Sequence, residues 1–127
     1  MKISLVSIPV RDPSIAHKIY TTKLGFISRE FDPANFTAVV SAPDDPDGTA
    51  ILLEPCEGNF AETYQTSAYE ANLPIIVFSS PDPTEELQRL SSVGITVRSD
   101  LDRPDWGITN LFEDGCGNLI MIDKMDA

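Results

Sequence analysis

Apolar positions in this chain fall into short strand-like runs and helical stripes, and the order of those pieces recurs. "SLVSIPV" at residues 4–10 is an apolar run followed by Asp12-Pro13. Next comes a stretch in which Ala16, Ile19, Tyr20 and Leu24 recur at helical spacing, closed by Gly25 and a further strand. From Pro74 the same order returns: "PIIVFSS", Asp82-Pro83, a stripe of Leu87, Leu90 and Val93, then Gly94 and a strand. Gly25 lies 13 residues past Asp12 and Gly94 lies 12 past Asp82. Behind Pro13 and Pro83, Ser14 and Thr84 fit helix starts, with Asp12 and Asp82 as the alternative caps. Gly25 and Gly94 predict the positive-φ position that ends a helix.

A second echo closes each copy. "DGTAILLEP" at 47–55 lies over "CGNLIMIDK" at 116–124, pairing Gly48 with Gly117, Ile51 with Ile120, Leu52 with Met121, Leu53 with Ile122 and Glu54 with Asp123. Side chains alternate along a strand, so Leu119, Met121 and Asp123 share one face and Ile120 and Ile122 the other. The middle of this strand is apolar on both sides and predicts a covering on both.

The pattern therefore predicts an α+β fold of two βαβββ repeats, about residues 1–56 and 73–127. A linker at about 57–72 holds one short helix near 61–71, strands near Ala38–Ser41 and Thr109–Phe112 complete the copies, and Asp44–Gly48 is a turn. Neither copy could bury its sheet alone, so the two are expected to pack as one domain whose curved mixed sheet surrounds a cleft. Each helix would cover one sheet face and leave the other to the cleft. Leu5 maps onto Ile75, each seven residues before its Asp, and Leu52 maps onto Met121. These four positions are expected around a pseudo-twofold axis.

Composition narrows the partners. The chain has 127 residues, 42% hydrophobic and 23% charged, which are values of a folded globular protein. No apolar run approaches the ~20 residues of a membrane helix. "MKISLVSIPVRD" lacks a small-residue cleavage site and reads as a strand, so a cytoplasmic protein is expected, with no membrane partner. A net charge of −11 argues against nucleic acid; it fits solubility, and would also draw a cationic ligand. Cys56 and Cys116 have no metal or redox spacing; free, inert thiols fit a cytoplasmic setting, and a single disulfide between them stays open.

The segments "SIPVRDPSIAHKIYTTKLGF", "DPDGTAILLEP" and "DWGITNLFEDGCGNLIMI" resemble the vicinal oxygen chelate superfamily, which includes glyoxalase I, bleomycin- and fosfomycin-resistance proteins and extradiol dioxygenases. The likeness covers nearly the whole chain and is greatest to glyoxalase-like proteins with a "CGNLI" ending. The enzymes of that superfamily place His or Glu metal ligands at four positions. Carried across one by one, these fall on Leu5, Leu52, Ile75 and Met121. None suits the Ni²⁺, Zn²⁺, Mn²⁺ or Fe²⁺ of those enzymes, which need imidazole or carboxylate. A one-residue slip would flip a strand's faces and expose the apolar set, while Glu54 and Asp123 share the parity of Leu52 and Met121, one pair further along.

The resemblance thus implies a metal-free, cofactor-free member that binds a small, partly aromatic or cationic molecule and pairs as a homodimer. The candidate cleft residues are Leu5, Ser7, Leu52, Glu54, Ile75, Trp106, Met121 and Asp123. Trp106 is either a packing residue or a platform for a flat ligand. Glu54 and Asp123 are either solvated strand ends or rim carboxylates that grip a cation. His17 is read as a surface residue, and Phe60, Tyr64 and Tyr69 of the linker as lid, core or dimer contacts. No catalytic residue is assigned. The alternatives are a metal-dependent lyase or dioxygenase with an unusual ligand set such as Glu54 and Asp123, and a dimeric interaction module whose cleft is filled.

Overall fold

A computed structural model describes residues 1–125. It contains β1 (Leu5–Val10), α1 (Pro13–Thr22), β2 (Ile27–Asp32), β3 (Thr37–Ser41) and β4 (Ala50–Pro55) in the first copy. A linker helix α2 (Phe60–Glu70) follows, and then β5 (Ile76–Ser80), α3 (Pro83–Ser92), β6 (Leu111–Glu113) and β7 (Leu119–Lys124). The chain divides into two units, residues 1–63 and those from Tyr64 onward, with the boundary inside α2.

Helix starts settle in favour of the aspartates. Asp12 Oδ1 accepts hydrogen bonds from the backbone N–H groups of Ser14 and Ile15, and Asp82 Oδ1 accepts one from Glu85. Pro13 and Pro83 take the first helical positions, where a missing N–H costs nothing. Ser14 and Thr84 are inside the helices. Gly25 and Gly94 both take positive φ (+81° and +89°), as predicted.

In the first unit the sheet runs β1-β4-β3-β2, with β1 parallel to β4 and the other pairs antiparallel. Register assigns the faces. Val6, Ile8 and Val10 lie beside Ile51, Leu53 and Pro55, while Leu5, Ser7 and Pro9 lie beside Ala50, Leu52 and Glu54. The first set faces α1: Val40 pairs with both Ile51 and Ser28, and the Ser28 hydroxyl bonds His17 Nε2 of the helix at 2.8 Å. Ile8, Val10, Ala38, Val40, Ile51 and Leu53 are buried under Ala16 and Tyr20 of that helix. This is the core of the unit.

The second unit repeats the parallel pair in the same register. Ser7 stands beside Leu52, and Val77, two residues after Ile75, stands beside Met121. Equivalent hydrogen bonds close the two ladders, Cys56 N to Val10 O at 3.0 Å and Met125 N to Ser80 O at 2.8 Å. Leu119, Ile120 and Ile122 are buried, so the strand is covered on both faces over its first half.

One element departs from the repeat. The sheet has three strands, β5-β7-β6, because the segment matching β2 forms a 3₁₀ turn at Ser99–Leu101, followed by a second at Pro104–Trp106, with isolated bridges Val97–Phe112 and Arg103–Ile108 in place of a ladder. Its sequence, "SDLDRPDW", offers turn-forming Asp and a Pro that cannot donate to a ladder. The turn before β7 is held from within: buried Asp114 accepts from the backbone N–H groups of Cys116 and Asn118 and from Asn118 Nδ2. Gln65 of α2 is buried against this turn and donates to Cys116 O and Asn118 Oδ1.

Gly117 takes φ +102° with the Gln65 side chain 2.8 Å from where a Cβ would stand. Gly117→Ala is expected to cost ~2 kcal/mol or more, from backbone strain plus displacement of a hydrogen-bonded buried amide. Gly58→Ala, at φ +79° with nothing within 4 Å, meets the backbone term alone and is the control. Urea unfolding of the two variants measures the difference.

Candidate functional site

The face of the first sheet opposite α1 carries Leu5 and Ser7 on β1 and Leu52 and Glu54 on β4. Leu52 also neighbours Val39 on β3. Leu5 is 48% exposed, Leu52 is half-buried, and Ser7 and Glu54 are exposed. The structure thus brings together on one face the four first-copy residues singled out from sequence.

In the second unit the matching face carries Met121 beside Val77 and Leu111, and Asp123 beside Ser79. Ile75 precedes β5 and donates its N–H to Leu119 O at 2.9 Å. Val77 is 48% exposed, like Leu5 in the other copy. Asp123 Oδ1 accepts a 2.5 Å hydrogen bond from the Ser79 hydroxyl. Trp106 lies outside the strands of this sheet. It ends the Pro104–Trp106 turn, 69% exposed, with the Arg103 guanidinium 4.4 Å above its ring centroid. This cation–π contact occupies one face of the indole.

The donor set does not fit the metal ion of the resembled enzymes. Leu5, Leu52 and Ile75 are hydrocarbons, and the Met121 thioether suits soft ions and not the hard and borderline cations concerned. Among the described residues, no three His, Cys, Asp or Glu side chains gather as an ion would require.

Other sequence candidates find structural roles. His17 is not a plain surface residue: its ring stacks on Phe31 at 4.0 Å and 11° while Nε2 meets Ser28. Phe60 and Tyr64 are exposed and Tyr69 is half-buried, its hydroxyl donating to Glu113 at 2.8 Å. Glu113 also receives Arg98, which grips Asp100 with two further bonds, and the Glu113 hydrogen bond pushes the Tyr69 phenol up. Both cysteines are free and buried, and burial pushes the Cys56 thiol up, with Glu62 adding to the effect. That thiol is the reverse of an activated nucleophile.

A cavity of about 350 Å³ lies in the first unit where β1 and β4 end and α1 begins. Its apolar walls include Phe31 of β2 and Pro33 and Phe36 of the β2–β3 turn, and Arg11, Asp12 and Glu57 supply charge. Sequence patterning missed it, because these residues are scattered from 11 to 57 and belong to no periodic run.

A twice-written parallel strand pair with a helix on one face and an apolar opposite face defines the glyoxalase-like class of fold. Residues 2–122 match the Glyoxalase/Bleomycin resistance protein/Dioxygenase superfamily, and the chain belongs to it. The uncharacterized protein YurT of Bacillus subtilis (strain 168) is 40% identical over 125 residues, 96% of this chain and 98% of its own. Among solved structures, TnmS3, an antibiotic binding protein from Streptomyces sp. CB03234, superposes with a TM-score of 0.70 at 21% identity, covering 99% of this chain and 97% of that one. A superfamily member from Sphaerobacter thermophilus DSM 20745 gives 0.66 at 22% identity, covering 98% of each chain. Among the described residues, no helix is long and apolar enough to cross a membrane.

Burial lowers the His17 pKa below its ordinary 6.5. The folded state therefore resists protonation, so His17 adds no pH dependence above its unfolded pKa and removes stability as pH falls below ~6.5. Proton NMR of the single histidine is expected to show a midpoint under 6.5, moving back toward that value in Phe31→Ala.

Proposed function

We propose that this chain is a metal-independent binding protein for a small, partly aromatic or cationic organic molecule, held on the apolar sheet faces opposite the helices. The observation that carries this reading is the chemistry of the four inherited ligand positions. Leu5, Leu52, Ile75 and Met121 keep the register of a twice-built site but present only apolar groups. Such a face gains affinity by removing apolar area from water, at roughly 25 cal/mol per Å², and not by coordination.

Ser7 and Glu54 in the first unit, and Asp123 in the second, give each face a polar edge able to orient a ligand. Trp106 supplies an exposed ring that Arg103 leaves open on one side. The antibiotic-binding neighbour TnmS3 shares the fold and supports a drug-like or metabolite ligand. The net charge of −11 favours a cation by long-range attraction. The protein pairs as a homodimer, as its resemblance to paired resistance proteins implies, and acts in the cytoplasm, a setting that two free thiols fit.

The test is calorimetry on chelator-treated protein, first with Zn²⁺, Ni²⁺, Mn²⁺ and Fe²⁺ and then with bleomycin and a panel of planar aromatic antibiotics. The expected result is no stoichiometric metal binding, and saturable binding of an organic ligand that EDTA leaves unchanged. Stoichiometric binding of one of the ions would overturn the reading and direct mutagenesis to Glu54 and Asp123. Trp106→Ala is expected to weaken the organic ligand roughly fivefold, the loss of one stacking contact worth about 1 kcal/mol.

A further inference from the structure

We infer a second small-molecule site in the first unit, separate from the sheet face just described, that takes a zwitterionic aromatic compound of the size and charge pattern of an aromatic amino acid. The cavity of about 350 Å³ at the start of α1 is at the small end of the range of ligand pockets, about 300–1,000 Å³. Its walls are aromatic and prolyl: Phe31, Phe36, Pro33 and Pro55. Phe31 has one ring face covered by His17, which leaves the other for a stacked guest.

Phe36 is the unusual residue. It is 68% exposed, and its backbone sits at φ +53°, ψ +33°, a left-handed conformation that bulky residues rarely adopt. Asn72 and Asn110, the other non-glycine residues at positive φ, are of the type that tolerates it. A glycine would close the Pro33–Asn35 turn without strain, so folding alone does not call for an exposed phenyl group here. A ring held at the mouth of an aromatic cavity gives that strain a use.

The charges set the ligand class. Arg11, Asp12 and Glu57 line the cavity; Asp12 is engaged as the cap of α1, whereas the side chains of Arg11 and Glu57 make no hydrogen bond or ion pair with another described residue. One is a guanidinium suited to a carboxylate and the other a carboxylate suited to an ammonium group. The start of α1 does not compete for the anion. Pro13 has no N–H, those of Ser14 and Ile15 already go to Asp12, and that of Ala16 goes to the Asp12 carbonyl. The ligand carboxylate is left to Arg11, its amine to Glu57, and its ring to Phe31 and Phe36.

The test is NMR titration of the ¹⁵N-labelled full chain with L-tryptophan, tryptamine and indole-3-acetate. L-tryptophan is expected to bind saturably, moving amides within residues 11–14, 31–37 and 55–57, and about tenfold more tightly than the amine-only or acid-only analogue. Arg11→Gln and Glu57→Gln, at side chains with no partner to lose, should each cost about tenfold. Phe36→Gly should weaken binding while leaving the melting temperature at or above that of the parent, because it relieves a positive φ. Absence of saturable shifts with all three compounds would overturn the inference. So would tryptamine or indole-3-acetate matching L-tryptophan, or shifts confined to Leu5, Leu52 and Met121. That last pattern would assign the ligand to the sheet face and leave the proposed function standing, whereas failure of metal-free binding at the sheet face would leave this cavity untouched.

Discussion

The parallel pairing of the first and last strand in each copy is the constraint from which the remaining geometry follows. β1 and β4 are joined through a helix and two strands, as are Leu5 and its neighbour Ala50, so the pair forms only when the intervening chain has folded back. Parallel strands cannot be linked by a tight turn and need such a crossover. Once the ladder is in register, parity decides everything lateral to it. Val10 and Leu53 go to the helix, and Leu5 and Leu52 go to the opposite face. A slip of one residue would exchange the two sets and bury Ser7 and Glu54.

Parallel strand pairs normally have both faces covered. Here the helix side is closed by Ala16 and Tyr20, while the other side is covered unevenly. Pro9, Ser41, Leu111 and Leu119 are buried, and Leu5 and Val77 remain half exposed. Those two residues mark where apolar surface is available to a ligand. Leu5 is also one of the four positions, with Leu52, Ile75 and Met121, onto which the metal ligands of the resembled enzymes were carried, and all four side chains here are apolar. A shared fold leaves function to the side chains grafted onto it.

The two copies shape the turn before their last strand differently. In the first, "DDPDG" is pinned by the Ser41 hydroxyl and by Arg29, both donating to Pro46 O. In the second, a buried carboxylate and a buried amide, Asp114 and Gln65, bind backbone N–H and C=O groups of "GCGN". Burying a carboxylate is costly unless its oxygens accept hydrogen bonds, and Asp114 accepts from Cys116 N, Asn118 N and Asn118 Nδ2. Both turns deliver their strand in the same register, and with Gly48 on Gly117 they share the aspartate three residues earlier, Asp45 and Asp114.

The sequence by itself determined the repeat, the helix bounds and the assignment of side chains to faces. All three rest on local signals: Asp-Pro before a helix, Gly after it, and period-two alternation in the strands. Counting from those signals also picked out Leu5, Leu52, Ile75 and Met121 as the positions onto which the ligands of the resembled enzymes fall. Only the tertiary structure decided that the second copy lacks a regular strand between Ile95 and Asn110, since turn and ladder compete there and neither leaves a clear pattern. It likewise moved His17 from surface to stack, placed Trp106 under Arg103 on a turn of its own, and gathered Phe31, Phe36, Arg11 and Glu57 around one cavity. These are meetings of residues distant in the chain, and no periodicity encodes them.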